Sequence, residues 1–190
     1  MMDWHDRAMN INNRIFKFIF YVTLRLRREW FIPYLRNLEK TQYLSRGEIE
    51  KIQIDDLNEL IKYSRENVPF YRDRLPKRVE SLGELRNIPL LEKDDLRKNQ
   101  ALLSSVVRQP NQRAKTSGGS TGAPVTILKD SRGMARELAA TWRGYAWAGV
   151  HVGDRQVRFW GVPRNFKDLV RSKLIDFVCN RKRITAFNYD

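Results

Sequence analysis

The sequence predicts an α/β protein in which a mainly helical region, residues 1–100, precedes the start of an α/β domain, residues 101–190. Three observations predict this class. Apolar residues follow mostly helical spacing before residue 100. Beyond residue 110, short β-branched runs alternate with helical patterns, as in α/β proteins. A hydrophobic content of 42% over 190 residues is enough for a folded core.

The first apolar segment, residues 11–35, superficially resembles a targeting or membrane segment. Its longest uncharged run, Phe18 to Leu24, has 7 residues, whereas a helix needs about 20 to span a bilayer. A signal peptide would need a longer apolar core and a small-residue cleavage site, but Arg25 and other charged residues follow here. The segment therefore predicts neither a transmembrane helix nor an export signal.

The same segment carries two apolar stripes at helical spacing, which are Ile11, Ile15, Phe18, Ile19, Val22 and Leu26, and Phe16, Phe20 and Leu24. Two apolar faces are too many for an ordinary surface helix. We favour packing into the protein or a partner subunit. The alternative is peripheral contact of residues 11–35 with an anionic membrane.

The residues that follow predict helices with recognisable start and stop signals. Ser45 and Glu48 predict a capping box that opens a helix running to Asn67, and Pro69 ends it. The two aromatic residues after this proline are predicted to be exposed. In the segment 88–99, two adjacent acids, Asp94 and Asp95, fall in the first turn of a helix, where carboxylates suit the helix dipole.

A catalytic carboxylate pair is the alternative interpretation of these two acids. Adjacent residues on a helix point about 100° apart and do not face each other. We therefore interpret the pair as a helix cap.

Beyond residue 110 the pattern predicts alternating strands and helices. The predicted elements are an extended piece at 113–116, a strand at 125–129, a helix at 132–147, a strand at 156–160, a helix at 166–178 and an extended piece at 183–188. Between the first two lies a loop rich in glycine, serine and threonine.

The formal net charge is +14, from 36 Lys and Arg against 22 Asp and Glu. This balance favours polyanions, and a basic non-enzymatic binder of nucleic acid or anionic membrane remains an alternative function. No helix-turn-helix, zinc-finger or RNA-binding signature indicates a specific nucleic acid. The single cysteine, Cys179, excludes an internal disulfide and a cysteine-based zinc cluster, which suits a cytoplasmic protein.

The glycine loop combines three glycines with four hydroxyl residues in "TSGGSTG", which comprises Thr116, Ser117, Gly118, Gly119, Ser120, Thr121 and Gly122. No lysine follows the last glycine, so this is not a Walker A loop. The stretch does satisfy the Gly-x-Ser-x-Gly pattern of a hydrolase nucleophile elbow. That hypothesis fails on context, because a strand is predicted after the loop where an elbow needs a helix.

A phosphate-binding loop fits both composition and context. Glycines let the backbone approach an anion, consecutive N–H groups form a nest for phosphate, and hydroxyls add donors. An ordinary glycine-rich hairpin turn is the alternative, although such a turn does not need four hydroxyl residues.

"TSGGSTGAP" resembles the phosphate-binding loop of adenylate-forming enzymes, in the double-glycine form of the branch that contains phenylacetate-CoA ligase and CapK-type capsular polysaccharide proteins. The upstream stretches "YLSRGEIEKIQIDDLNELIKYSRENVPFYRDRL" and "IPLLEKDDLRKN" resemble that branch's N-terminal helices, its Pro-Phe-Tyr element and its Pro-x-x-x-Lys-x-Asp-Leu-Arg element. The resemblance covers about residues 43–190.

The resemblance implies an ATP- and Mg²⁺-dependent ligase that activates a carboxylic acid as acyl-AMP and passes the acyl group to an acceptor, the thiol of CoA or an amine. Residues 116–122 would bind the ATP phosphates. The CapK branch points to surface polysaccharide biosynthesis. The resemblance implies a cytoplasmic enzyme, associated with a membrane if residues 11–35 contact one.

Two departures from the family limit this transfer. Val125 stands where many members have a lysine after the loop proline. Parts matching the family's adenosine site, Mg²⁺-associated acid and catalytic lysine are not found in the 190 residues. The expectation is therefore an N-terminal portion of such an enzyme, with an incomplete α/β nucleotide-binding domain, inactive alone. No general base, nucleophile or metal ligand is assigned.

Overall fold

The computed structural model describes residues 10–109, 111–116, 124–161 and 165–185. The α-helices in these ranges are α1 (Ile11–Leu26), α2 (Phe31–Thr41), α3 (Arg46–Asn67), α4 (Lys93–Lys98), α5 (Ser131–Trp147) and α6 (Phe166–Val178). The strands are β1 (Arg113–Thr116), β2 (Thr126–Lys129), β3 (Gln156–Trp160) and β4 (Arg181–Thr185), and two 3-10 helices span Pro69–Tyr71 and Leu82–Asn87.

The chain divides into two compact units. The first unit combines residues 1–38 with 135–190, and the second unit comprises residues 39–134. The sequence predicts a different division, at residue 100, between a helical region and the start of an α/β domain. That division stays a prediction.

The core of the first unit forms around one stripe of α1. Phe20 and Leu24 are buried together with Phe31, Trp142 and Val152. The ring of Phe20 meets that of Trp142 edge-on, with the ring centroids 5.5 Å apart. The expectation that the two apolar faces of this segment pack into the protein or a partner subunit is met by this stripe alone.

A tight turn at residues 151–154 packs closely against α1. Gly153 has φ of +98°, and a Cβ at this position would overlap the carbonyl oxygen of Asn13 and lie 2.9 Å from the backbone nitrogen of Lys17. The Asn13 side-chain amide donates to Asp154 Oδ1 at 2.8 Å, and the His151 backbone N–H donates to Asp154 Oδ2 at 2.7 Å. Only a glycine at position 153 lets the helix come this close.

The other apolar stripe of α1, which begins at Ile11, remains largely on the surface. Its exposed members are Ile11, Ile15, Phe18, Val22 and Leu26. No helix among the described residues has the length and apolar character needed to cross a bilayer.

β3, α6 and β4 form a strand-helix-strand unit of the α/β type. The two strands are parallel, and their register runs from Gln156 opposite Arg181 to Trp160 opposite Thr185. The strand predicted at 156–160 and the helix predicted at 166–178 are confirmed. β4 begins at Arg181, two residues before the predicted 183.

Asp176 on α6 anchors the start of β4. Its carboxylate lies 2.9 Å from both Arg181 Nε and Arg183 Nε, and Arg183 Nη2 adds a third hydrogen bond at 3.2 Å. Burial acts to raise the pKa of Asp176, but the hydrogen bonds from Arg183 and Arg181 outweigh it and hold the pKa below its ordinary value. The charged carboxylate therefore stabilises the folded state.

We expect Asp176→Asn to lower the free energy of unfolding by about 3 kcal/mol at pH 7, because it leaves two partly buried arginines without their partner. Since the folded pKa is depressed, the contribution is present above the unfolded value of about 3.9 and is lost as pH falls through the folded pKa. Urea unfolding from pH 7 to pH 3 measures both effects.

The matched control is Glu50→Gln, which breaks the exposed ion pair of Glu50 with Arg46. Such a pair contributes about 0.5 kcal/mol or less. If Asp176→Asn costs no more than this control, or leaves the acid dependence unchanged, the structural role of Asp176 is refuted.

The second unit is built on α3, which begins with the predicted capping box. The Ser45 backbone N–H donates to Glu48 Oε2 at 2.9 Å, and the Glu48 N–H donates to Ser45 Oγ at 3.4 Å. The Asn58 side chain binds both the N–H and the carbonyl of Val79, each at 2.9 Å. Ile61, Val68 and Val79 are buried along this helix and the segment that returns past it.

The aromatic residues after Pro69 differ from the prediction that both are exposed. Phe70 is buried and Tyr71 is half-buried. Their rings pack edge-on at 5.2 Å, and the Arg74 guanidinium lies 4.1 Å from the centroid of the Phe70 ring. The prediction was wrong because the 3-10 turn at Pro69–Tyr71 folds this segment onto its own neighbours.

Asp94 and Asp95 lie in the first turn of α4, as predicted. The Asp95 carboxylate accepts the Glu92 backbone N–H at 3.1 Å and completes a capping box. Asp94 pairs instead with Arg97 and Lys98. The two acids therefore act as cap and surface ion pair, and the catalytic-pair alternative has no support.

Candidate phosphate-binding hairpin

The glycine loop connects the two strands of an antiparallel hairpin. Thr116, the last residue of β1, lies opposite Thr126, the first residue of β2, and Lys115 lies opposite Ile127. The two threonine hydroxyl oxygens are 2.9 Å apart, so the ends of the loop are held side by side. This agrees with the predicted extended segments on both sides of the loop.

Of the predicted phosphate-binding residues, the structure describes Thr116. The other six, Ser117, Gly118, Gly119, Ser120, Thr121 and Gly122, lie outside the described residues. The assignment of residues 116–122 to phosphate binding therefore stays a prediction. The structure describes the two strands at the ends of this loop.

The element that follows the loop is a strand. β2 runs from Thr126 to Lys129, and α5 begins only after Asp130, whose carboxylate accepts the Gly133 backbone N–H at 2.6 Å. A nucleophile elbow needs a helix directly after the nucleophile. The hydrolase hypothesis for Ser120 thus lacks the required helix. Asp130 was not predicted as the cap of α5, although aspartate directly before a helix is a common capping signal.

Positive charge follows one face of the hairpin. Partners across antiparallel strands share a face, and residues two apart on one strand do too. Arg113 is paired with Lys129, and Lys115 follows Arg113 by two positions, so three cations belong to one face. The segment from residue 113 to 129 contains no Asp or Glu. The hairpin is therefore suited to carry its loop toward an anion.

Two other groups bear on the chemistry. Within the parts of the chain that the structure describes, no three His, Cys, Asp or Glu side chains are grouped to hold a metal ion. Burial raises the pKa of the Cys179 thiol, so this cysteine stays protonated at neutral pH. From the described residues, the hairpin offers hydrogen bonds and positive charge.

Comparison with known proteins gives two related sequences, while no protein-family model matches the chain. Over 128 residues, 62% of this chain, it is 30% identical to a phenylacetate-coenzyme A ligase of Aromatoleum evansii. Over 119 residues, 58% of this chain, it is 34% identical to a phenylacetate-coenzyme A ligase of Thermus thermophilus. The matched regions are 28% and 26% of those proteins, so the chain spans about a quarter of the curated relatives it matches.

These similarities show that the chain resembles phenylacetate-coenzyme A ligases over about 60% of its length. The mixed architecture, helices with a parallel strand-helix-strand unit and a hairpin, is compatible with part of an α/β ligase domain. The relatives do not favour the alternative of a non-enzymatic basic binder.

Proposed function

We propose that this chain supplies the phosphate-binding segment of an ATP-dependent adenylate-forming ligase that activates a carboxylic acid as acyl-AMP. The hairpin is the observation that carries the proposal, because it joins the ends of a glycine- and hydroxyl-rich loop on a cationic support. In this proposal residues 1–100 form the helical N-terminal region and residues 101–190 the beginning of the nucleotide-binding domain.

The loop acts through electrostatics and position. Backbone N–H groups of Gly118, Gly119 and Gly122 and the hydroxyls of the Ser and Thr residues hold the β and γ phosphates of ATP in line as pyrophosphate leaves. Mg²⁺ supplies neutralisation of the phosphate charge when bound, and its ligands are not assigned to this chain. Since the chain matches about a quarter of its relatives, we expect no complete turnover from the 190 residues alone.

The acyl acceptor and setting are drawn from the relatives and the branch resemblance. The names of both relatives include coenzyme A, which supports the CoA thiol over an amine. The resemblance to CapK-type proteins supports a role in surface polysaccharide biosynthesis. We further propose a cytoplasmic enzyme that contacts a membrane through residues 11–35, because one stripe of α1 exposes apolar side chains.

We expect the 190-residue chain to bind inorganic pyrophosphate weakly and specifically at the loop, without pyrophosphate–ATP exchange. Titration of the isotope-labelled chain, followed by NMR, should shift the amide signals of residues 116–122. Ser120→Ala and Thr121→Ala should each weaken binding by roughly tenfold, since each removes a hydrogen bond to a charged group.

Thr141→Ala is the matched control, because Thr141 is not one of residues 116–122 and its hydroxyl donates to the Glu137 carbonyl of its own helix at 2.9 Å. This variant should bind pyrophosphate as the original chain does. If all three substitutions have the same effect, or if shifts concentrate on α1, the phosphate-loop proposal is wrong. Robust exchange by the purified chain would contradict the expected inactivity.

A further inference from the structure

An apolar cavity of about 450 Å³, partly open to solvent, lies at the elbow between α1 and α2. Its walls are mainly aromatic and aliphatic, from Phe18, Tyr21, Val22, Trp30, Phe31 and Ile32. A volume of this size lies within the range of small-molecule sites, roughly 300–1,000 Å³. The cavity therefore has room for an apolar chain.

Two arginines stand at this cavity with their charges available. Arg25 and Arg28 line it and are exposed. Among the described residues neither side chain has an ion-pair partner. The nearby acid, Glu29, is turned inward, and its carboxylate lies 2.8 Å from Arg27. The elbow thus presents positive charge beside an apolar space.

Arg28 occupies a position that ordinarily takes glycine. The N–H of Arg28 donates to the Arg25 carbonyl at 3.0 Å, and the N–H of Glu29 donates to the Leu24 carbonyl at 2.9 Å. This is the Schellman pattern, in which the residue after the C-cap is left-handed. Arg28 has φ of +56° there, a conformation that costs a non-glycine residue about 1 kcal/mol or more. A strained arginine at this site indicates a role for its charge.

The cavity continues into the exposed stripe of α1. With about 100° per residue, Ile11, Ile15, Phe18, Val22 and Leu26 fall within an arc of roughly 80°, opposite the buried Phe20. On the same projection Arg14 and Arg25 border this arc. α1 contains no Asp or Glu. The surface therefore combines an apolar strip with two arginines along one of its borders.

We propose that the α1–α2 elbow is a binding site for an anionic phospholipid of a membrane surface. One acyl chain enters the cavity beside Trp30, and Arg25 and Arg28 contact the phosphate. The proposal rests on the proposed membrane contact of residues 11–35 and deepens it by naming the lipid class and the residues that bind it.

A bilayer suits this surface better than a soluble ligand. α1 has 16 residues and is therefore about 24 Å long, which exceeds what one small ligand covers. Phe18 and Trp30 are exposed, and every charged residue of α1 is a cation. Arginines beside apolar side chains suit the region where headgroups meet acyl chains.

The test uses the 190-residue chain with vesicles of phosphatidylcholine, with and without phosphatidylglycerol. Adding phosphatidylglycerol should strengthen co-sedimentation. Replacing Arg25 with alanine and Arg28 with glycine in one variant should weaken binding by roughly 20- to 30-fold, at about fivefold for each arginine near an anionic surface. Arg28→Gly relieves the left-handed strain, so the melting temperature should not fall with the affinity.

The matched control removes two exposed charges elsewhere, Lys51→Ala with Arg86→Ala. It has the same net charge as the elbow variant and should bind nearly as the original chain does, because neither residue lines the cavity or belongs to α1. Equal losses in the two double variants would refute the site and leave only a net-charge effect.

Occupancy of the cavity is measured by fluorescence quenching. Phosphatidylglycerol brominated on its acyl chains should quench the chain's tryptophans, and Trp30→Phe should remove most of that quenching. If the chain binds anionic vesicles but Trp30→Phe changes nothing, the acyl-chain site is wrong while the membrane contact stands. If the chain binds no vesicles, both are wrong.

If Phe18→Glu abolishes a dimer seen by sedimentation in the absence of lipid, the occupant is a second copy and the lipid site is refuted.

Discussion

Adenylation is expected to fall by roughly 30- to several-hundred-fold when Ser120 or Thr121 is replaced with alanine. A hydroxyl that donates to the transferring phosphates acts where charge develops, and removing such a donor costs about 2–4 kcal/mol of transition-state stabilisation. The two changes should lower kcat more than they raise KM, because the donor is worth most in the transition state.

The effect can be measured in a hybrid enzyme. The stretch of the Thermus thermophilus ligase that aligns with residues 113–129 of this chain is replaced with those residues, and formation of the acyl-CoA from phenylacetate is followed. Ile127→Ala, on the exposed surface of β2 outside the loop, is the control and should stay within about twofold. If Ser120→Ala and Thr121→Ala leave the activity of the hybrid unchanged, the catalytic role proposed for this loop is refuted.

Gly153→Ala should destabilise the first unit by roughly 3 kcal/mol or more, the largest stability effect we expect from a single methyl group in this chain. The added Cβ would collide with backbone atoms of α1, the Asn13 carbonyl and the Lys17 nitrogen, which cannot swing aside as a side chain would. It would also force alanine into a conformation at φ of +98°. Loss of α1 docking should appear as a lower denaturation midpoint and faster proteolysis near residue 27.

Two other glycines separate strain from collision. Gly149 also has a positive φ, +76°, but nothing lies within 4 Å of a Cβ there, so Gly149→Ala should cost only about 1 kcal/mol. Gly144 lies inside α5 with open space around it, so Gly144→Ala should be neutral or stabilise by up to about 1 kcal/mol. Equal stability of the Gly153 and Gly149 variants would show that α1 does not need the close approach.

The elements predicted with success are those whose signals are local. The capping box of Ser45 and Glu48, the strand at 156–160 and the helix at 166–178 depend on nearby residues, so periodicity and capping chemistry locate them. The same holds for the strands on either side of the glycine loop. Their pairing through Thr116 and Thr126 matches a hairpin, and Val125, predicted as strand, falls just before β2.

The features that were not predicted depend on side-chain contacts that apolar periodicity does not show. Phe70 was predicted to be exposed because periodicity does not show that the Arg74 guanidinium covers its ring. β4 begins at Arg181 because Asp176 holds Arg181 and Arg183, a contact that hydrophobic patterning does not register. Likewise, the two apolar stripes of α1 were visible, but which one would be buried depended on Trp142 and the turn at Gly153.

The first unit is assembled from two stretches of chain separated by the whole second unit. Phe20 therefore leaves the ribosome well before its partner Trp142, and at about 5–20 residues per second the delay is roughly 6–24 s. During that interval Phe20 and Leu24 lack the partners that later bury them, so both apolar stripes of α1 are exposed. A nascent helix with two exposed apolar stripes and only basic charges suits binding by a chaperone or an anionic bilayer. Slowing translation between codons 39 and 134 should increase the fraction of nascent chains bound in this way.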